Sequence, residues 1–171
     1  MNESGVKDSI EDRDPPEYHL AVLNQKIREM MNLVVRPFGL KLTEWRILQC
    51  LRQLNTLTIN DLSEMAVIER TVTSRLVDKL VARELVEKTS LPNDRRSIQV
   101  VLTKAGARLV DECDAAVTSA RGELFAGLSQ KNLQAFNATL VQLQQNAATV
   151  FRSRSGGGFA STPQPRKTGN R

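Results

Sequence analysis

The chain has 171 residues, 40% apolar and 25% charged, enough to bury a core without disulfide staples. No apolar run reaches the ~18 residues of a membrane span, and two distant cysteines with a single histidine exclude zinc sites of the usual kind. The net charge of +5 is uneven: residues 1–17 are acidic, 152–171 basic, and 69–108 hold nine bases against five acids. Such a basic stretch is a candidate nucleic-acid surface, although on charge alone a solvated face is the leading reading. The acidic start, Met1 to Glu17, is not a secretory signal pattern. The composition reads as a cytoplasmic protein with no metal, no cofactor and no membrane partner.

Between its two ends the chain is mostly helical in pattern. Leu20, Leu23, Ile27, Met30 and Val34 recur at three- and four-residue spacing, one face of a first helix that Pro37 and Gly39 end. Thr43 opens a second helix through Ile47, Leu48 and Leu51. Thr58 followed by Asp61 reads as an N-cap with an acid in the first turn of a short third helix carrying Leu62 and Met65. Ala66-Val67-Ile68 makes a tight connection. A fourth helix begins near Glu69 and runs through Val72, Leu76, Leu80 and Val81. The period then changes. Leu85 to Lys88 partly alternates, Leu91-Pro92-Asn93-Asp94 is turn chemistry, and Ser97 to Leu102 has strand composition, together a small hairpin. Thr103 caps a long helix with Leu109, Cys113, Ala116, Ala120 and Leu124 along one side. Ser129 caps the last, where Leu133, Phe136, Leu140, Leu143, Ala147 and Val150 form a heptad-like seam suited to packing on another helix.

The fold class is mainly α with a small β-hairpin wing. Short helix, tight turn, second helix and a hairpin with a basic tip make a winged helix-turn-helix. A helix fits the major groove of B-DNA, and side chains near its N-terminus reach base edges. Here that region is Glu69 to Arg75, so Arg70, Thr71, Thr73, Ser74 and Arg75 are the candidate DNA contacts, with Val72 facing the core. Glu69 and Arg70 stand at the helix start and can serve as caps instead. At the wing tip, Arg95 or Arg96 can enter the minor groove, where negative potential is concentrated. Asp94 can hold such a guanidinium in a fixed orientation.

The stretches Leu42 to Leu48, Thr71 to Leu80, and Asp94 to Ser97 leading to Val100 through Gly106 resemble the MarR-type transcriptional regulators. The resemblance covers roughly residues 18 to 151. It implies a homodimer whose first and last two helices interlock, with two recognition helices and two wings on a palindromic operator. It further implies a helical dimerisation region over 17–40 and 104–151 around a DNA-binding region over 41–103; the ends outside it read by composition as a disordered acidic arm over 1–16 and a disordered basic tail over 152–171. It also implies that Arg96 is the minor-groove arginine and Arg95 a phosphate contact. One departure is Glu84, where the family usually has a glycine that ends the recognition helix in a left-handed conformation.

Most such proteins are repressors released by a small phenolic or aromatic acid bound between the dimerisation helices and the winged domain. His19, Leu23, Ile27, Trp45 and Arg46 are the candidate ligand residues on that basis. Trp45 reads first as a core aromatic and second as a pocket wall; His19 reads first as exposed and second as a hydrogen-bonding group near the same cleft. The alternatives are the same fold sensing oxidation or a protein partner, or acting as an activator. Cys50 and Cys113 fall among apolar helix residues, which favours buried structural thiols over sensors. An enzyme is not expected, because one histidine leaves no nucleophile–histidine–acid set, and the Gly156 to Gly158 run lies in the tail.

Overall fold

The computed structural model describes residues 14–91 and 94–155, side chains excepted over 90–97. Contacts divide it into one unit ending at Leu124 and another beginning at Phe125. The first unit opens with α1 (Pro16–Val35), whose leading proline lacks an N–H that would be unpaired there anyway. A 3-10 turn, Arg36–Phe38, closes it, and Gly39 supplies the left-handed φ of +69° that reverses the chain. The Asn32 side chain of α1 accepts the Leu42 N–H at 2.9 Å, meeting one orphan donor at the start of α2 (Leu42–Leu54).

A short strand, β1 (Thr56–Thr58), leads into α3 (Ile59–Ala66). The cap read from sequence is present and reciprocal: Asp61 N–H donates to Thr58 Oγ1 at 3.2 Å, and Thr58 N–H donates to Asp61 Oδ2 at 3.0 Å. Val67 then turns the chain at φ 54° into α4 (Arg70–Ala82). The hairpin follows as β2 (Val86–Leu91) and β3 (Asp94–Leu102), then α5 (Lys104–Leu124). The sheet has three strands, not the two expected: β1 pairs antiparallel with β3, giving the order β1-β3-β2. Three residues between two helices are too few to display a period of two, so β1 left no pattern in the sequence.

The core of this unit gathers Val35 from α1, Ile47, Leu48 and Leu51 from α2, Leu62 from α3, Val77 and Leu80 from α4, and Val100 from the central strand. Two helix faces differ from expectation. On α1, Met31 and Val35 are buried, while Leu23 is exposed. On α5, Cys113 and Ala120 are buried as read and Leu109 packs half-buried against the core, but Gly106, Val110 and Val117 complete the buried face rather than Ala116 and Leu124. Gly106 is obligatory where it stands, since a Cβ there would lie 2.0 Å from the Leu85 carbonyl oxygen. That contact lets the first turn of α5 close on the base of the wing, where Thr103 Oγ1 also donates to Glu84 O at 2.7 Å.

The second unit is the helix α6 (Gln130–Ser155), with Ser129 Oγ accepting the Asn132 N–H at 3.2 Å. No residue of α6 is buried. The helix continues through Ser155, so Arg152 to Ser155 are helical rather than part of a disordered tail. The acidic arm before Asp14 and the basic tail from Gly156 lie outside the described residues. Among the described residues, no helix is long and apolar enough to cross a membrane, and no cluster of three or more metal-ligating side chains occurs.

Candidate nucleic-acid interface

The start of α4 is organised by Glu69. Its carboxylate accepts the N–H groups of Thr71 at 2.9 Å and Val72 at 3.0 Å, two of the donors left open by the first turn. The Thr71 N–H contributes most to holding the Glu69 carboxyl below its ordinary pKa. Glu69 is therefore the cap. Arg70, Thr71 and Arg75 are exposed on the first two turns, and Ser74 is half-buried.

Thr73 corrects the sequence reading. It is fully buried, and its hydroxyl donates to the Glu69 carbonyl at 3.0 Å. Val72, expected inside, is 44% exposed. The buried positions of α4 are Thr73, Val77 and Leu80: Leu80 is buried as read and Leu76 packs against the core, but in the first turn Thr73 takes the inward place expected of Val72. A β-branched hydroxyl can face the core because the backbone carbonyl at i−4 takes its proton.

Glu84 ends α4 in the conformation that glycine would favour. Its φ is 57°, Glu84 N–H donates to Val81 O at 2.8 Å, and Leu85 N–H donates to Leu80 O at 3.0 Å. That pair of bonds is a Schellman motif built on a non-glycine residue. The departure changes the strain, not the geometry.

Three ion pairs, two of them sharing Glu44, place α4 and its C-cap against their neighbours. Glu44 of α2 is 1% exposed; its Oε1 accepts Lys79 Nζ at 2.7 Å, and its Oε2 accepts the Lys41 N–H at 3.0 Å and Arg83 Nη1 at 3.4 Å. Burial pushes the Glu44 carboxyl up, but the Lys79 hydrogen bond, the Lys41 N–H and the charges of Lys79 and Arg83 outweigh it and leave it lowered. On the other side, Lys88 of β2 donates to Asp78 of α4. The wing is thereby tied to the helix it flanks. Sequence reasoning missed all three pairs, since Glu44 and Asp78 each look like an ordinary helix-surface charge.

Asp94, Arg95 and Arg96 lie at the start of β3, with Asp94 opposite Leu91 across the hairpin. Their side chains lie outside the described residues.

Of the expected ligand residues, His19 is exposed beside Tyr18, ring centroids 5.8 Å apart, and Leu23 is exposed. Ile27 and Trp45 pack half-buried against the core, and Arg46 is half-buried. Trp45 is thus the core aromatic of the first reading, yet its Nε1 is buried without a hydrogen-bond partner. A cleft of about 330 Å³ opens elsewhere, between Leu51, Arg52 and Asn55 at the end of α2, Thr56, Val101 and Leu102 of the sheet, and Ala107. It contains none of those candidates. Both thiols are raised by burial, Cys113 to about 11 with Glu112 adding to the effect, which leaves little thiolate near neutral pH.

Helix-turn-helix, wing and their spacing define a winged helix-turn-helix protein. Residues 40–98 match the MarR family. YsmB of Bacillus subtilis, an uncharacterised HTH-type transcriptional regulator, is 27% identical over 124 residues, covering 72% of this chain and 82% of YsmB. A mutant MarR from Escherichia coli complexed with operator DNA shares the fold at a TM-score of 0.69 and 23% identity, over 74% of this chain and 91% of that one. BpsR of Bordetella bronchiseptica, whose DNA binding is regulated by 6-hydroxynicotinic acid, does so at 0.69 and 22%, over 75% and 97%. Residues 40–98 thus carry a MarR-type winged helix-turn-helix, and relatives matching beyond that segment are transcriptional regulators.

Proposed function

We propose that the chain is a cytoplasmic, homodimeric repressor that binds a palindromic operator and is released by a small aromatic acid. The observation that carries the DNA reading is the outward face of α4. Arg70, Thr71 and Arg75 stand exposed on its first turns, capped by Glu69 and flanked by a wing whose second strand begins Asp94-Arg95-Arg96. Arginine pairs with guanine edges or phosphates, and a threonine hydroxyl with either class of acceptor. The wing arginines add the minor-groove contact.

The homodimer is supported by α6, which presents Phe136, Leu143 and Val150 to solvent from a seam of heptad-like spacing. Ligand control is supported by the Trp45 indole N–H, buried without a partner and able to donate to a carboxylate or phenolate. BpsR, with its 6-hydroxynicotinic acid, supplies the chemical class. The raised thiols argue against oxidation as the signal.

Fluorescence anisotropy on duplex DNA from the chain's own upstream region, beside a scrambled duplex of equal length, tests the reading. Hydroxylated benzoic and nicotinic acids are then titrated into the complex. Selective binding that weakens with salt and is reversed by one acid is the expected result. Selective binding that no acid reverses overturns the ligand assignment, and equal binding to both duplexes overturns the operator assignment.

A further inference from the structure

The exposed face of α4 carries a side chain that the polar contacts above leave unused. Val72 is the third residue of the helix, 44% exposed, one residue after Thr71 and one helical turn before Arg75. Its outward direction is set by the inward anchoring of Thr73, whose hydroxyl is tied to the Glu69 carbonyl at 3.0 Å, and by the Glu69 carboxylate on the Val72 N–H at 3.0 Å. The rotation of the first turn is therefore held from both sides. An isopropyl group has no hydrogen-bond donor or acceptor, so it cannot read guanine, cytosine or adenine by their polar edges. The only apolar group that B-DNA presents in the major groove is the 5-methyl of thymine.

We propose that Val72 is a specificity-determining residue that reads one thymine methyl in each half-site of the operator. This rests on the operator-binding reading above and deepens it. Arg70, Thr71 and Arg75 hold the helix by polar contacts, and Val72 discriminates T·A from C·G at one position by desolvating that methyl.

The test uses the full chain and a duplex it binds selectively, recovered from a randomised pool. Each thymine is replaced singly by deoxyuridine, which removes the methyl and leaves the pairing edge unchanged. For the wild type, one symmetric pair of positions is expected to lose affinity by about fourfold per half-site, the weight of one buried methyl. For Val72→Ala those positions become indifferent to the replacement, while Val72→Thr, which keeps a methyl, retains part of the effect. Val72 lies outside the core, and thermal melts of both variants verify folding. Selective binding with no deoxyuridine effect, or with an effect of equal size in Val72→Ala, overturns the proposal alone. If the wild type selects no duplex at all, the operator reading fails and takes this inference with it.

Discussion

Glu44 shows at the scale of single residues what a pattern of apolar positions conceals. An acid on a helix between two threonine- and tryptophan-bearing positions looks solvated, yet it is buried and joins α2 to Lys79 and Arg83. Replacing it by glutamine removes charge-assisted hydrogen bonds and is expected to cost about 1.5–3 kcal/mol near neutral pH. Its carboxyl is lowered from an ordinary 4.5, so the stabilisation is complete above that value and disappears as pH falls through the folded one. Urea melts of wild type and Glu44→Gln should differ most near neutrality and converge on acidification; a constant difference would remove the ion pairs from the account. Glu84→Gly tests the opposite kind of residue. It relieves a left-handed, β-carbon-bearing backbone at φ 57° and should stabilise the chain by about 0.5–1 kcal/mol in thermal melts. Gly106→Ala drives a methyl into the Leu85 carbonyl and should destabilise by about 1–3 kcal/mol.

Among the elements, those with distinct local chemistry were legible in the sequence. The Thr58–Asp61 box, the Pro37–Gly39 stop and the Thr103 and Ser129 caps each leave a residue-specific mark, and helices begin or end beside them; Pro92 and Asn93 of the expected turn lie outside the described residues. The rotation of α4 was not legible. Its Val72-Thr73 pair offers two β-branched side chains of nearly equal volume, and hydropathy chooses the valine for the core. The backbone reverses that choice, because the Glu69 carbonyl satisfies the threonine hydroxyl and makes its burial inexpensive. The consequence for the candidate site is direct: Thr73 is turned away from its exposed face, and Val72 stands on it. The wing supplies this scale's prediction. Arg96→Ala should weaken operator binding by about 1–3 kcal/mol, and Arg95→Ala should lower affinity more evenly across sequences while reducing the salt slope by about one. Anisotropy titrations at several salt concentrations separate the two.

Among the described residues, the candidate DNA-binding unit is followed in the chain by a long apolar-seamed helix that buries none of its own residues. The occupant proposed for its seam is a second copy of the chain. Charges placed on the seam, as in Leu140→Glu with Leu143→Glu, should weaken self-association by at least about tenfold in sedimentation equilibrium and take selective DNA binding with it. The same association constrains the DNA. A two-fold protein reads a two-fold site, with half-sites on one face of the duplex about one helical turn, or a multiple of it, apart. Selection of bound duplexes from a randomised pool tests this most directly. The account predicts enrichment of one half-site in inverted repeat at a fixed spacing of that kind. An enriched sequence without two-fold symmetry, or no enrichment over the starting pool, would contradict it.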